Sequence, residues 1–508
     1  MSHKTRLFSL LIVVLFVGFV FGLAAEEPKY GGELIAGISA DPVGFDPHKT
    51  SAYSSFEVLE NVYNTLVTVG DDLTPQPAIA KSWEVSEDGL TWTFHIREGI
   101  KFHNGRTLVA GDIEYSLERI MDPDTGSGAA WRLATVENIS APDDDTVVIA
   151  LQNPYPGLLT KVGGYKGMAI VAKENVESGK INTHPVGTGP FEFVEHVPGD
   201  RVVLSKNEEY WEEELPYLDG INFRVIPDET VRKTSLLTGE VHWIDSVPSQ
   251  EIEQLKKRDN VVLGESSGTA YWYAAFNLDH EPFGDRRVRK AIAMSINRSE
   301  IAAAAKWDAA VANDSPVPEA SYWSTDYHPY LGEQNHDKAE ELLTEAGYPN
   351  GFNAGVMVST QYPGTVRAAQ VMQAQVARIG VNLKIRTLEW GTWLEEQSAG
   401  NFDIYINGWI GNLDPDDYFY AQHYTGEVFN FTGYSNEELD ELLDEGRMEP
   451  VKEKRYELYS EIQKTLIDDA PYVYIYIPKV VHAWRPIVKG YTTRPDEALK
   501  FKATWIAS

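Results

Sequence analysis

The residues best suited to holding a small molecule lie in one short segment, 408–419. It reads Gly-Trp-Ile-Gly-Asn-Leu-Asp-Pro-Asp-Asp-Tyr-Phe and follows a strand predicted at 402–406. Open α/β sheets bind ligands in loops at the carboxyl ends of their strands. Gly408 and Gly411 let backbone approach a ligand, and the ring of Trp409 can stack on it. The predicted chemistry is binding without bond making; the alternative is a structural turn around a buried tryptophan.

A second candidate is the aromatic run Tyr271-Trp272-Tyr273 on a predicted strand. Side chains alternate along a strand, so Tyr271 and Tyr273 share one face and Trp272 takes the other. Core packing is favoured for whichever face turns inward, and ligand contact remains open for the other.

Patterns that would indicate an enzyme or a metal site are weak. The segment Gly164-Tyr165-Lys166-Gly167 has glycine where a phosphate loop needs Ser or Thr. Twelve histidines form no His-x-x-x-His pattern and there is no cysteine, which excludes thiolate metal sites and disulfides. No carboxylate pair is singled out by spacing. We therefore predict no catalytic residue, no metal and no cofactor.

Strands and helices alternate along the chain, which indicates an α/β fold. Glycines on both sides of Thr188 predict a sharp crossing between domains. Strands are predicted at 31–38, 146–151, 220–226, 270–277, 381–385, 402–406 and 472–477, and helices at 56–66, 230–237, 366–379, 437–446 and 452–467.

The segment 78–120 has the most specific pattern in the chain. Residues 91–96 alternate like a half-buried strand, and Asn104-Gly105 predicts a turn at the end of a second strand. Asp112 is placed to help start a helix that carries Ile113, Leu117 and Ile120.

This segment, AIAKSWEVSEDGLTWTFHIREGIKFHNGRTLVAGDIEYSLERI, closely resembles the signature of the family 5 solute-binding proteins of bacterial ABC importers. That family is the dipeptide, oligopeptide and nickel-binding group. The later segments AAFNLDHEPFGDRRVRKAIAMSINR, AEELLTEAGYPNGF and GVNLKIRTLEW are similar to other family signatures. The resemblance covers nearly the whole chain after residue 25.

The resemblance implies a type II periplasmic-binding-protein fold, with two lobes around a ligand cleft and an extra domain inserted in the first lobe. The implied boundaries are 26–68, 186–265 and 478–508 for lobe I, 69–185 for the inserted domain, and 266–477 for lobe II.

Two residues depart from the pattern of dipeptide-binding relatives. In those relatives an acidic residue about three positions after Gly-Trp pairs with the ligand's α-amino group, and here that position is Asn412. Asn412 supplies no negative charge, so Asp414, Asp416 or Asp417 are the candidates to replace it. The arginine that holds a dipeptide's carboxylate aligns with Gln361. Longer peptides or neutral oligosaccharides therefore gain weight as ligands.

In the first lobe, Ser51, Ala52 and Tyr53 match the position where relatives offer backbone to an extended ligand. The complete predicted ligand-binding set is Gly408, Trp409, Ile410, Asn412, Asp414, Gln361, Tyr53, Tyr271 and Tyr273.

The first 25 residues read as a secretory signal peptide, with Lys4 and Arg6 before an apolar run at 7–23 and small residues at its end. The alternative is an uncleaved membrane anchor. Because the chain has no cysteine to carry a lipid, a free periplasmic protein is predicted rather than a lipoprotein.

The formal net charge of −32 becomes two units more negative without Lys4 and Arg6. Such a field repels nucleic acid and anionic lipid, so neither is expected as a partner. A solvated acidic surface is favoured over a charge-based ligand preference.

We interpret the chain as a monomeric receptor that delivers a peptide-like solute to the permease of an ABC importer. The open alternatives are an oligosaccharide receptor of the same family, a secreted hydrolase, and a periplasmic chaperone-like protein.

Overall fold

The computed structural model describes residues 27–50, 52–163, 166–307, 309–319, 321–360, 362–409 and 413–507. Its strands are β1 Glu33–Ile38, β2 Val67–Val69, β3 Pro75–Pro77, β4 Ala80–Val85, β5 Thr91–Ile96, β6 Val136–Asp143, β7 Thr146–Leu151, β8 Phe191–Val197, β9 Arg201–Lys206, β10 Gly220–Val225, β11 Trp243–Ile244, β12 Val262–Ser267, β13 Tyr271–Phe276, β14 Ala310–Ala312, β15 Phe352–Ser359, β16 Val381–Leu388, β17 Ile404–Trp409, β18 Tyr472–Trp484, β19 Val488–Lys489 and β20 Trp505–Ile506.

The α-helices are α1 Tyr53–Val62, α2 Ala110–Met121, α3 Leu158–Gly163, α4 Lys173–Glu177, α5 Glu229–Thr238, α6 Ile252–Leu255, α7 Arg286–Ser295, α8 Arg298–Lys306, α9 His336–Glu345, α10 Pro363–Val376, α11 Trp390–Ser398, α12 Asp416–His423, α13 Glu437–Met448 and α14 Lys452–Asp469. Short 3₁₀ turns lie at Pro123–Thr125, Ala130–Leu133, Ser249–Glu251 and Ala377–Ile379. In the part of the chain that the structure describes, no helix has both the length and the apolar character needed to cross a bilayer.

One large sheet of twelve strands runs through both lobes. Ten strands follow the order β16-β15-β17-β13-β18-β11-β1-β10-β9-β8, and β12 and β14 also pair with β18. Strand β1 is parallel to both β10 and β11, and β15 is parallel to both β16 and β17. We call the half around β1 the first lobe and the half around β15 and β13 the second lobe.

A single long strand, β18, joins the two lobes. Its start, Tyr472 to Tyr476, pairs with β13 of the second lobe, and its end, Lys479 to Trp484, pairs with β12. The sequence predicted a strand that stops at Ile477. The observed strand continues because Pro478, which has no N–H to donate, lies where the pairing partner changes.

The inserted domain is built on the antiparallel sheet β4-β5-β7-β6. Strand β5 shows the predicted alternation, with every second side chain buried. The predicted second strand at Lys101 is reduced to one isolated bridge to Thr107 around the turn at Gly105, whose φ is 83°. Asp112 starts α2 as predicted, because its Oδ2 accepts a hydrogen bond from the Val109 N–H at 3.0 Å.

Five clusters of buried side chains form the cores. One fills the inserted domain between Leu66 and Ala172 and also contains Leu413 of the second lobe. Two fill the second lobe on either side of its sheet, and two lie in the first lobe and beside β18. The exact domain boundaries implied by the family resemblance stay a prediction.

The glycine pair around Thr188 has a clear steric role. A Cβ at Gly187 would lie 2.1 Å from the Val62 carbonyl oxygen, and one at Gly189 would lie 2.5 Å from the Val62 carbonyl carbon. Only glycine allows the chain to pass this close to the end of α1 where it leaves the inserted domain.

Candidate functional site

The strand end predicted to bind ligand lies beside the predicted aromatic strand. Strands β13 and β17 are antiparallel neighbours, with Tyr271 opposite Trp409 and Trp272 opposite Gly408. Directly opposed residues share a face of the sheet. Tyr271, Tyr273 and Trp409 therefore lie on one face, and Trp272 and Gly408 lie on the other.

Trp409 is half-buried against a core rich in tyrosine. Its ring centroid is 5.2 Å from that of Phe429 in an edge-on contact, and Phe429 is 41 % exposed. The indole Nε1–H of Trp409 is buried without a hydrogen-bond partner among the described residues. A buried indole N–H normally finds an acceptor, so the Trp409 donor is an exception to the usual pattern.

Gly408 was predicted to let the backbone approach a ligand; in the structure the group that lies closest to it is the Trp272 indole. A Cβ at Gly408 would lie 2.8 Å from Cε2 of Trp272. The Trp272 ring also stacks on Tyr476 and meets the edge of Tyr362, with centroids 6.0 and 5.6 Å away. We call the rings of Trp272, Tyr476 and Tyr362 the aromatic wall.

Tyr271 and Tyr273 lie in the core, 0 % and 2 % exposed. The Tyr271 hydroxyl accepts from Gln422 Nε2, and the Tyr273 ring stacks on Tyr472 with centroids 4.2 Å apart. Burial raises the pKa of both hydroxyls well above 10. Of the two roles that the sequence left open for this face, the burial favours packing.

Asp414 and its neighbours each have a cationic partner inside the protein. Asp414 makes a bidentate pair with Arg455 at 2.7 and 2.8 Å, with both side chains 4 % exposed. Asp416 makes a bidentate pair with Arg447 at 2.9 and 3.0 Å. These contacts favour a role for Asp414 and Asp416 in holding the loop over one in pairing with a ligand ammonium group.

Asp417 links the second lobe to the inserted domain. Its carboxylate forms an ion pair with Lys161 of α3, and both side chains are almost fully buried. Tyr155, from the same part of the inserted domain, donates to Asp416 Oδ2 at 3.4 Å. Together with Leu413, these contacts attach the predicted ligand loop to the inserted domain.

Three predicted binding residues lie outside the described residues: Ile410, Asn412 and Gln361. Their assignments stay predictions.

Tyr53 opens α1 on the first-lobe side of the cleft. It is 39 % exposed, yet surrounding protein raises the pKa of its hydroxyl strongly, and nearby Glu497 and Glu57 raise that pKa further. The Tyr53 hydroxyl donates to the Glu497 carbonyl oxygen at 3.0 Å, and Lys166 Nζ is 5.0 Å from the centroid of its ring.

Two charged residues that the sequence reading missed, Glu497 and Lys306, are close enough to influence each other's ionisation. The Glu497 side chain is exposed, but desolvation by the surrounding protein raises the pKa of its carboxyl. The positive charges of Lys166 and Lys306 lower that pKa. Burial also lowers the pKa of the Lys306 amine, Arg367 lowers it further, and Glu497 raises it. Glu497 belongs to the first lobe and Lys306 ends α8 of the second, so these two charges lie on different lobes.

Local sequence carries no signal for this pair, since 191 positions separate the two residues and only the fold brings them together. Lys306 Nζ is 5.8 Å from the centroid of Trp272, on the aromatic wall. Arg367, six positions after Gln361 in the sequence, is exposed and donates to the carbonyl oxygens of Ala304 and Ala305, which caps the end of α8.

The cleft therefore offers an aromatic wall, a carboxylate on one lobe and an ammonium group on the other. Among the described residues, no cluster of three or more His, Asp or Glu side chains is arranged to hold a metal ion.

Comparison with known proteins places the chain in a family. Residues 74–431 match the family described as bacterial extracellular solute-binding proteins, family 5 Middle. The chain is 27 % identical over 496 residues to the glutathione-binding protein GsiB of Pectobacterium atrosepticum, with 96 % of each chain covered. It is also 27 % identical over 505 residues to the dipeptide-binding protein DppE of Bacillus subtilis, covering 92 % of this chain and 91 % of that one.

Solved structures resemble the whole fold. The Helicobacter pylori protein DppA, an ABC transporter-associated periplasmic binding protein in complex with the peptide STSA, is 28 % identical, with a TM-score of 0.76 and coverage of 94 % and 99 %. The unliganded open form of the periplasmic murein tripeptide-binding protein MppA is 25 % identical, with a TM-score of 0.85 and 94 % and 98 % coverage. With its two-lobed type II fold and inserted domain, the chain belongs to the bacterial extracellular solute-binding proteins of family 5.

Proposed function

We propose that this protein is the solute-binding receptor of an ABC importer and that it binds peptides or peptide-like solutes in the cleft between its lobes. The observation that carries the proposal is the charge arrangement in that cleft. Lys306 of the second lobe provides a cationic group beside the aromatic wall. Glu497 of the first lobe provides an anionic group whose charge acts on Lys306. The names of the relatives GsiB, DppE and DppA support a peptide as the solute.

The two charged groups match the two ends of a peptide. An ammonium group at the amino terminus of a ligand is favoured by the Glu497 carboxylate, and a terminal carboxylate is favoured by Lys306. In this arrangement Glu497 and Lys306 take the roles of the anchors that are absent at Asn412 and Gln361. Trp409 and Trp272 then contact the apolar parts of the ligand.

We infer that the structure represents the open state of the receptor. The chain superposes better on the open form of MppA than on the peptide complex of DppA, although its identity to DppA is higher. Closure would bring Lys306 and Glu497 together around the ligand. The solute would then be carried to the permease, in the periplasm if the predicted signal peptide at residues 1–25 is removed. Those 25 residues lie outside the described part of the chain.

Modified peptides test the two anchors separately. Replacement of Lys306 by Met should weaken binding of an unmodified peptide by about tenfold or more, because a charge-assisted contact is lost. The same variant should bind the C-terminally amidated peptide as the wild type does. The Glu497→Gln variant should bind a peptide with a free amino terminus more weakly than the wild type does. It should bind the N-acetylated peptide as the wild type does. Isothermal titration calorimetry measures both.

The exposed Lys257 gives a matched control, since Lys257→Met removes the same charge away from the cleft. It should leave every affinity unchanged. Equal weakening of amidated and free peptides by Lys306→Met would contradict the assignment of Lys306 to the ligand carboxylate.

A further inference from the structure

A large cavity lies outside the cleft, between the first lobe and the inserted domain. Its volume is about 1010 Å³, which is the size of many small-molecule sites. Helix α1, the β2–β3 hairpin, the Tyr210-Trp211 pair and the C-terminal segment 490–503 form its walls. Among the described residues that line it, none comes from positions 266–477. The cavity therefore does not depend on the second lobe, unlike the cleft.

Two cations face this cavity without an anionic partner. Lys500 Nζ donates to Thr68 Oγ1 at 3.0 Å and to the Val69 carbonyl at 3.2 Å, and it makes no ion pair with a described carboxylate. Arg97 Nε donates to the Ala78 carbonyl at 2.7 Å, and Arg97 also makes no ion pair within the described chain.

The other charges around the cavity are satisfied. Lys166 pairs with Glu60 at 2.9 Å, and Lys502 pairs with Glu212 at 2.6 Å. Arg494 pairs with Asp496 at 2.7 Å and also with Asp71. Asp72, at the mouth, accepts hydrogen bonds from Thr74. Five basic and five acidic residues line the cavity, and Lys500 and Arg97 are the two basic residues among them that make no ion pair with a described residue.

An apolar surface lies next to these cations. The Arg97 guanidinium is 5.3 Å from the centroid of the Trp211 ring. Trp211 is half-buried, and its Nε1–H donates to Asn64 Oδ1 at 3.0 Å, so the ring is held in place. Phe56 and Leu59 of α1 add further apolar lining.

We propose that this cavity is a second binding site, for a small organic anion whose carboxylate or phosphate group contacts Lys500 and Arg97 and whose apolar part packs on Trp211. The site includes none of the described second-lobe residues proposed to contact peptide, and it is present without lobe closure. Binding there would connect the inserted domain to α1, the helix that carries Tyr53 at its start.

The protonation of Lys500 gives the site a pH dependence. Burial and the Arg494 charge lower the pKa of Lys500 to about 8; Asp496 and Glu60 raise it, and Lys502 lowers it. Below pH 8 the ammonium is charged and attracts an anion, and above pH 8 this attraction is lost. Phosphomonoesters stay dianionic over this range because their second pKa is about 6.

Phenyl phosphate is a suitable probe because it joins a dianion to a flat apolar ring. Calorimetric titration of the full chain should show saturable binding at one site, while the cation benzylamine should give none. Lys500→Met and Arg97→Met should each weaken phenyl phosphate binding by about tenfold. The Lys500→Met variant should also lose the decline in affinity above pH 8. Melting curves establish that each variant is folded.

Two control variants separate this site from the cleft and from general charge effects. Lys257→Met removes an exposed charge elsewhere and should leave phenyl phosphate binding unchanged. Trp409→Ala should weaken peptide binding but not phenyl phosphate binding. The proposal is overturned if the wild type gives no saturable heat, if both cavity variants bind like the wild type, or if Trp409→Ala removes phenyl phosphate binding.

Discussion

Replacing Arg455 with methionine is expected to lower the free energy of unfolding by about 3–5 kcal/mol. Arg455 pairs with Asp414 through two hydrogen bonds, and both side chains are 4 % exposed. Burial alone would raise the pKa of Asp414, but the Arg455 guanidinium reverses this and holds the pKa below its usual value. Without Arg455 the carboxylate must either stay charged in a dry site or take up a proton, and both cost stability.

Urea unfolding monitored by circular dichroism measures this loss. The exposed pair between Lys338 and Glu341 is the control, since both side chains are about half exposed, and Lys338→Met should cost less than about 1 kcal/mol. The double variant Arg455→Met with Asp414→Leu should recover part of the loss, because it removes the stranded charge. A loss below about 1 kcal/mol for Arg455→Met alone would mean that the pair does not hold the loop.

Acidification from pH 7 to pH 5 is expected to destabilise the fold by about 2 kcal/mol for each of two histidines, the buried His48 and the partly buried His103. Burial lowers the pKa of each to about 4. Neutral His48 accepts from Arg119 at Nδ1 and donates from Nε2 to the Ala169 carbonyl. Neutral His103 accepts from the Gly187 N–H and donates to the Gly189 carbonyl. Neither ring has a place for a second proton.

The direction of this pH effect on stability follows from the lowered pKa values of His48 and His103. Above pH 6.5 the histidines are neutral in both the folded and the unfolded chain, so the full stability is present. Between pH 6.5 and about 4 the unfolded chain binds protons that the folded chain cannot, and stability falls as the pH falls. Glu57 acts in the opposite direction, because burial and Asp245 raise its pKa to about 9 and it stays protonated in the fold at neutral pH.

The pH dependence of the free energy of unfolding therefore has to be compared between the wild type and a variant that lacks one histidine. The difference is the contribution of that histidine. In denaturant titrations at pH 7 and pH 5, His103→Gln should lose about 2 kcal/mol less than wild type between the two pH values. His95, half exposed on the inserted sheet, supplies the control His95→Gln. The same pH dependence in His103→Gln and wild type would refute a role for His103.

Local sequence patterns predicted the strands and helices well where the hydrophobic residues follow a single period, that of a strand or that of a helix. The alternation of β5 and the helical spacing of α13 and α14 are all present in the structure. The full length of β18 was missed, because Pro478 looks like a strand end until both partners of the strand are known. The strand predicted at Lys101 is only an isolated bridge in the structure, because strand pairing depends on partners that the local pattern does not identify.

The candidate site was predicted only in part. Trp409 was predicted in the loop after a strand that ends at residue 406, and it is instead the last residue of β17. The neighbouring strand β13 was predicted correctly. The partner of Asp414 and the electrostatic interaction between Glu497 and Lys306 were not predictable, because charged residues are abundant and carry no period that marks their contacts. A sequence shows which residues have suitable chemistry, and the fold decides which of them meet.

The central claim is that the cleft between the lobes binds peptides, and calorimetric titration of the wild-type chain tests it most directly. The protein is first unfolded and refolded by dialysis to remove any retained solute, then titrated with di- to pentapeptides, glutathione, and cello- and manno-oligosaccharides. The account predicts saturable one-to-one heat with at least one peptide and none with the sugars. Binding of an oligosaccharide with no heat from any peptide would contradict it.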